Sequence, residues 1–170
     1  SLVADSAYID HRPVKQVRLN SSYDKKEFQN RLHLTVNDTL SLFTQTDIKT
    51  GEDPVFTIHE FLLNIRKDKW INNPDSTVIK FCQDSIRIDH FQLQSGEQKI
   101  GLQGTLAFKG TVNLDFWIKE LDIKGLPSIP NFNYPLYGTV NSEIHLKGNA
   151  SSPELEGFVK IDDPGLDTVR

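Results

Sequence analysis

The chain has 170 residues, of which 37% are apolar and 25% charged, and its formal net charge is −4. That length and composition allow one sizeable folded domain and place the chain outside the disordered regime. The acidic balance and the lack of a long basic run argue against nucleic-acid binding and against general attraction to an anionic membrane surface. Because Cys82 is the only cysteine, the chain cannot form an intramolecular disulfide.

Alternation of apolar and polar residues with period 2 recurs along most of the chain and predicts strands that are apolar on one face and hydrated on the other. Gly104 and Gly157 fill two positions of the apolar series. Helical periodicity is scarce, since the two candidate stretches, 23–32 and 60–70, lack a sustained apolar stripe. The alternating stretches are 30–36, 100–108, 112–118, 140–146 and 155–161.

Three octets, FTIHEFLL, IRIDHFQL and FWIKELDI, begin thirty residues apart at positions 56, 86 and 116. Each has apolar residues at its positions 1, 3, 6 and 8, which is strand alternation with one residue inserted in the middle. An inserted residue turns the following side chains to the opposite face unless the strand bulges there. We therefore expect each octet to form a long strand with a bulge or corner. A repeat of this length built only of strands predicts an elongated, stacked β architecture more than a closed globule.

Residues 126–138, LPSIPNFNYPLYG, contain three prolines. Because proline removes a ladder hydrogen bond, this stretch cannot be a central strand. We interpret it as a connection that crosses from one side of the sheet to another.

The chain contains no methionine, and its first residues already have strand character. We expect a single β-rich fragment, residues 1–170, of a longer repetitive protein, with any signal peptide or membrane anchor outside it. No stretch approaches the roughly 20 apolar residues of a membrane-spanning helix.

Residues that carry chemistry form no catalytic or metal-binding pattern. The five histidines lack the spacing that puts two ligands on one face, the carboxylates are scattered, and no nucleophile elbow or phosphate-binding loop is present. We therefore expect no enzyme, no metal and no cofactor. Trp117 occupies a polar position of its octet, which predicts a place on the outer face or under a connection, and a carbohydrate platform is one interpretation.

Two regions carry a resemblance to a known family. Residues 138–161, GTVNSEIHLKGNASSPELEGFVKI, contain a strand that ends in Leu-Lys-Gly and then Pro-x-Leu-x-Gly before another strand. Upstream, WINNP at 70–74 precedes SIRIDHFQLQSGEQKIGLQGTL, and the apolar pattern continues over 114–126. Over residues 55–162 the chain resembles the repeats of TamB, the inner-membrane subunit of the translocation and assembly module, and of its AsmA-like, bridge-like lipid-transfer relatives.

The resemblance implies an open half-pipe of β-sheet, or β-taco, with an apolar inner face. It implies a periplasmic location in a longer protein anchored to the bacterial inner membrane. It also implies phospholipid transport to the outer membrane and outer-membrane protein assembly with a barrel partner. The residues expected to line the groove for acyl chains are Ile86, Ile88, Ile100, Leu102, Leu106, Phe108, Leu114, Phe116, Ile118, Leu121, Ile123, Ile144 and Leu146.

Two other functions fit the same pattern of strands. A closed β-sandwich acting as a binding or adhesive module predicts strands packed on strands around a dry core. A scaffold that pairs its sheet edges with nascent outer-membrane strands predicts exposed edges.

Overall fold

The computed structural model describes residues 2–4, 7–9, 12–125 and 136–166. Strands account for most of these residues, and a single turn of 3₁₀ helix, η1, lies at Ile123–Gly125. The strands are β1 (Leu2–Ala4), β2 (Ala7–Ile9), β3 (Arg12–Val14), β4 (Gln16–Asp24), β5 (Glu27–Asn37), β6 (Leu40–Lys49), β7 (Val55–Ile65), β8 (Asp68–Asn72), β9 (Thr77–Cys82), β10 (Ser85–Ser95), β11 (Gln98–Ala107), β12 (Thr111–Asp122), β13 (Leu136–Asn149) and β14 (Ser152–Leu166).

Twelve strands form one antiparallel sheet in the order β1-β4-β5-β6-β7-β8-β10-β11-β12-β13-β14, while β2 and β3 form a separate hairpin. β9 continues the position of β8, because both strands pair with β7 and with β10. The sheet is open rather than closed into a barrel, so the predicted all-β, open-sheet fold class is confirmed. Before position 55, strands β1, β4, β5 and β6 belong to the same sheet as the strands after it.

Both helix candidates are hairpins. The stretch 23–32 contains the turn between β4 and β5, where Lys25 and Lys26 have φ of 45° and 70°. Two-residue hairpin turns favour positive φ because their twist then matches that of the strands. The stretch 60–70 contains the turn after β7, where Arg66 has φ of 56°. The extra residue at the bulge of the first octet gives apolar spacings of three residues, as in a helix. This is why the stretch 60–70 could be read as either a helix or a strand.

All three octets contain the predicted irregularity. In β7 the register against β6 shifts by one residue at His59. In β10 the register against β11 shifts between Ile88 and Phe91, and in β12 the register against β13 shifts between Ile118 and Leu121. At each shift an extra residue is accommodated in one strand, as in a β-bulge. The apolar residues before and after each bulge therefore stay on one face of the sheet.

Asparagine side chains supply hydrogen bonds that the ladder lacks at the first two bulges, which flank the break at 73–76 between β8 and β9. Asn72 Oδ1 accepts a hydrogen bond from Phe61 N at 2.9 Å. Asn73 N donates to Gln92 O at 3.0 Å, and Asn73 Oδ1 accepts from Gln92 N at 3.2 Å. Since an unpaired buried backbone group is costly, these side chains stabilise the bulged geometry.

The third bulge has the same device. Asn141 Oδ1, on β13, accepts a hydrogen bond from Glu120 N at 3.0 Å. Glu120 has φ of 51°, a left-handed conformation that non-glycine residues adopt only when their surroundings hold them there. The bulge thus combines a strained residue with a side chain that satisfies its amide.

The Pro-rich connection predicted at 126–138 lies mostly outside the described residues, which omit 126–135. Its last three residues belong to β13, which begins at Leu136.

The sheet has no closed core. The chain exposes 11824 Å² of surface, about 40% more than the roughly 8,500 Å² of a compact monomer of its 19.3 kDa mass. Among the described residues, only six apolar side chains are buried: Val14, Ile58, Trp70, Ala107, Val112 and Leu121. A sandwich of two sheets would bury most of its inward-facing side chains. The described part of the chain therefore does not match the sandwich alternative.

Candidate functional site: the apolar face of the sheet

The cross-strand register assigns each side chain to one of two faces, because directly paired residues of neighbouring strands share a face. One face is dominated by aliphatic and aromatic side chains from β1 to β14. We call this the apolar face, and its apolar members are Leu2, Ala4, Val17, Leu19, Tyr23, Phe28, Leu32, Leu34, Leu40, Leu42, Ile48, Phe56, Ile58, Phe61, Leu63, Ile65, Trp70, Ile79, Phe81, Ile86, Ile88, Phe91, Leu93, Ile100, Leu102, Leu106, Val112, Leu114, Phe116, Ile118, Leu121, Val140, Ile144, Leu146, Leu155, Val159 and Ile161.

Most of the residues predicted to line a groove lie on this face. The ladders of β9 to β14 bring eleven of the thirteen together in adjoining rows, such as Leu114 beside Leu146 and Leu102 beside Phe116. The eleven are Ile86, Ile88, Ile100, Leu102, Leu106, Leu114, Phe116, Ile118, Leu121, Ile144 and Leu146.

The other two predicted residues lie outside the strands. Phe108 follows the end of β11 in a turn and is 61% exposed. Its backbone N donates to Asp84 O at 2.7 Å, which closes the ladder at that end. Ile123 lies in the 3₁₀ turn η1 that follows β12. Period-2 extrapolation fails at both positions because the strand ends before the alternation does.

The prediction left out the part of the apolar face that precedes residue 86 and the part on β14. The first octet carries the same signal as the other two, with Phe56, Ile58, Phe61 and Leu63 all on the apolar face. The alternation over 155–161 also matches its strand. The sequence therefore contained the signal for these residues. Only the structure shows that the strands before residue 55 pair with the rest of the sheet.

The apolar face remains open to solvent in the described structure. Most of its side chains are half-exposed, and on the edge strand β14 Leu155 is 70% and Val159 64% exposed. Phe61 and Phe91 make an edge-to-face contact with ring centroids 6.5 Å apart, across the position of β8. This contact lies where the first two bulges flank the strand break.

Several polar side chains lie on the apolar face without offering free polar groups to a ligand. Thr77 is fully buried and its Oγ1 donates to His90 O at 2.8 Å. Ser142 is 2% exposed and its Oγ donates to Phe158 O at 2.9 Å. Within the described ranges, no buried side-chain nitrogen or oxygen lacks a hydrogen-bond partner. A row of three polar residues, Ser21, Asn30 and Thr46, also crosses the face in β4 to β6, so the apolar character is more continuous from β7 to β14.

The opposite face is mainly polar, apart from a row of apolar side chains at Phe43, Leu62 and Ile71, and it carries cross-strand ion pairs. Lys147 Nζ lies 2.7 Å from Glu156 Oε2, and the hydrogen bond between them raises the pKa of Lys147. Asp115 Oδ1 accepts a hydrogen bond from His145 Nδ1 at 2.7 Å, and this bond is the main cause of the lowered pKa of Asp115. The sheet thus separates a hydrated, charged face from an apolar one.

In the part of the chain that the structure describes, no group of three or more His, Cys, Asp or Glu side chains is arranged to hold a metal ion. The described residues also include no helix with the length and hydropathy to cross a membrane.

Comparisons with known proteins find no matching family model, no matching curated protein and no matching solved structure. The fold and the site define the class: an open antiparallel β-sheet protein with one mainly apolar face and one mainly polar face.

Proposed function

We propose that the protein shelters phospholipid acyl chains on its apolar face. In this proposal it is a periplasmic segment of a longer, TamB-like protein that carries lipid from the inner to the outer membrane and supports outer-membrane protein assembly. The observation that carries the proposal is the apolar face itself, which extends across the whole sheet and which no second layer of described residues covers.

The dimensions of the face suit acyl chains. Eleven strand positions about 4.8 Å apart give a sheet about 48 Å long, and an eleven-residue strand such as β7 spans about 36 Å. Burial of a CH₂ group contributes about 0.8 kcal/mol, so a 16-carbon chain gains on the order of 12 kcal/mol before entropic costs. A lipid headgroup would stay in water at the open side.

The uniformity of the lining favours transport over specific recognition. From β11 to β14, Ile, Leu, Val and Phe repeat on the apolar face, so these strands offer an acyl chain a similar environment at each position. A chain that slides along such a surface exchanges one apolar contact for another. The barriers between positions are therefore low, which a conduit requires and a selective binding pocket does not.

The sequence resemblance adds the cellular setting. The strand and turn phrases at 70–74, 85–106 and 138–161 are similar to those of TamB and AsmA-like proteins. The inner-membrane anchor, the periplasmic location and the outer-membrane barrel partner enter the proposal from this resemblance alone.

Extraction of bound lipid tests the proposal. The protein, purified from a bacterial host, is extracted with a denaturing organic solvent, and mass spectrometry measures phospholipid per protein. We expect near-stoichiometric phospholipid. Ile118→Asp places a carboxylate on the apolar face, beside Ile100. This variant should bind no phospholipid, because a charge is costly in contact with acyl chains.

A matched control separates this effect from general damage. Thr105→Asp adds the same charge to the neighbouring strand β11, but on the polar face opposite Arg87. It should keep its lipid and its melting temperature. Lipid-free wild-type protein that also fails to take up phospholipid from vesicles would refute the proposal, as would equal loss from the two variants.

A second candidate function follows from the edge strand β14. All of its described residues up to Ile161 are exposed, and β13 is its only partner among the described strands. Such an edge can accept an extended strand of another chain. Adding an amphipathic strand peptide while following amide exchange of β14 tests this scaffold role, since pairing would protect amides on the outer side of β14 and leave the apolar face unchanged.

A further inference from the structure

A second site lies on the polar face, around Trp117. Trp117 on β12 is the direct cross-strand partner of Gly101 on β11. A Cβ atom added to Gly101 would fall 2.0 Å from the Cε2 and Cζ2 atoms of the indole. The indole therefore lies across the glycine, with one face against the sheet and the other turned away from it. The side chain is only half-buried in this position.

Polar side chains from four strands surround the indole. The His90 ring stacks beside it with centroids 5.6 Å apart and an interplanar angle of 26°. His90 Nδ1 lies 3.3 Å from Gln103 Oε1, and Gln103 Nε2 donates to Asp115 Oδ2 at 3.3 Å. His145 Nδ1 donates to the other oxygen of Asp115 at 2.7 Å. This network fixes the orientation of the polar groups on one side of the ring.

Two charged groups complete the site. Lys119 and Glu143 line the same depression of about 360 Å³, together with His90, Gln103, Asp115 and His145. Glu143 is also the direct cross-strand partner of Trp117. Both Lys119 and Glu143 are exposed to solvent. The depression therefore combines a half-buried indole, flanked by the His90 ring, with one exposed ammonium donor and one exposed carboxylate acceptor.

We propose that this depression binds an oligosaccharide of glucose-type pyranoses, with one sugar ring stacked on Trp117. A pyranose whose substituents are equatorial presents C–H groups on its ring faces and hydroxyl groups around its edge. The C–H face matches an indole that lies flat, and the edge hydroxyls match the surrounding carboxylates, amide and ammonium group. This site lies on the face opposite the acyl-chain surface and does not depend on the function proposed for that surface.

A purely structural role for the indole gives a different expectation. An aromatic side chain that covers a cross-strand glycine stabilises a sheet by itself. Tyr137 does this on β13, where a Cβ atom at the paired Gly165 would fall 1.9 Å from the Tyr137 ring. Tyr137 is therefore the matched control for Trp117, because it makes the same contact with glycine in a different part of the sheet.

The experiment is a titration of the delipidated protein with chitotetraose and with cellotetraose, followed by tryptophan fluorescence and calorimetry. Trp70→Phe makes Trp117 the only tryptophan, and Trp70 is buried on the apolar face. We expect saturable binding of at least one probe in roughly the millimolar range or tighter. Trp117→Ala should weaken binding on the order of tenfold or more, as loss of a central aromatic contact does.

Two further variants separate binding from folding. Glu143→Gln keeps the fold and should weaken binding severalfold, because it removes a charged acceptor at the rim. Tyr137→Ala should lower the melting temperature, as Trp117→Ala does, and leave the affinity for the probe unchanged. The proposal is overturned if neither probe binds the wild type, or if Trp117→Ala binds as well as the wild type.

Discussion

Asn72→Ala tests whether the bulges depend on their asparagine side chains. The substitution removes the 2.9 Å hydrogen bond from Phe61 N to Asn72 Oδ1 and a longer contact, 3.4 Å, from Asn72 Nδ2 to His59 O. Asn72 is only 9% exposed, so water cannot readily replace its side chain. An unsatisfied buried donor costs about 1–3 kcal/mol, and the longer contact adds little.

Urea unfolding followed by the fluorescence of buried Trp70, two residues before Asn72, measures that cost. We expect a decrease of about 1–3 kcal/mol in the free energy of unfolding, or a fall in melting temperature of roughly 2–12 °C. The control is Asn64→Ala, which removes only a bond from Asn64 Nδ2 to Ser41 Oγ at 3.0 Å and should cost less. Equal and small effects of the two substitutions, below about 0.5 kcal/mol, would refute the argument that the bulge needs this side chain.

Three other predictions concern the glycine contacts, the polar face and the sheet edge. Gly104→Ala should lower the free energy of unfolding in urea by about 2–3 kcal/mol or more. Gly104 has φ of 114°, and a Cβ there would lie 2.1 Å from a backbone carbonyl oxygen. Gly51→Ala is the control and should be tolerated, because Gly51 has open space around it. The hydrogen bond from His145 holds the pKa of Asp115 below 3.8, so its stabilisation is present above about pH 4 and is lost as pH falls through the lowered pKa. Melting curves of wild type and Asp115→Asn should therefore differ at pH 5 and converge near pH 2, and a gap that widens in acid would contradict this sign. Val159→Lys should leave the melting temperature unchanged, because Val159 is 64% exposed on the edge strand, and a fall of several degrees would contradict this placement.

The fold class was predictable because its signal is local. Period-2 alternation reports which face a side chain occupies, and no helical stripe competed with it. The octets went further, since an apolar pattern that slips by one residue must either change faces or bulge. The structure has a bulge in each octet, at His59 in the first and after Ile88 and Ile118 in the others.

The partners of the bulges were not predictable in the same way. The side chains of Asn72, Asn73 and Asn141 accept hydrogen bonds from backbone amides that lie 11, 19 and 21 residues away in the chain, and only the fold brings each pair together. Asn141 Oδ1 binds Glu120 N across β12 and β13, 21 residues apart. In the sequence these residues belong to turn-forming or polar positions, and nothing local distinguishes an asparagine in a turn from one that satisfies a bulge.

The strand ends explain the two groove residues that lie outside the strands. Alternation continues through Phe108 and Ile123 in the sequence. Chain direction changes at both places, through the turn at 108–110 and the 3₁₀ turn η1. Apolar periodicity records the preference of a side chain for burial and carries little information about where a backbone ladder stops.

The relation between the two faces explains why the sheet can remain open. A single layer cannot bury its apolar side chains in a second layer, so its order depends on long ladders and on cross-strand pairs. The polar face supplies such pairs, including Lys147 with Glu156 and His145 with Asp115, on the same strands whose other side chains form the apolar face. Each strand thus carries its own stabilising contacts on one side and its exposed apolar surface on the other. A surface held in this way can stay accessible along its whole length, which is the property that the proposed passage of acyl chains requires.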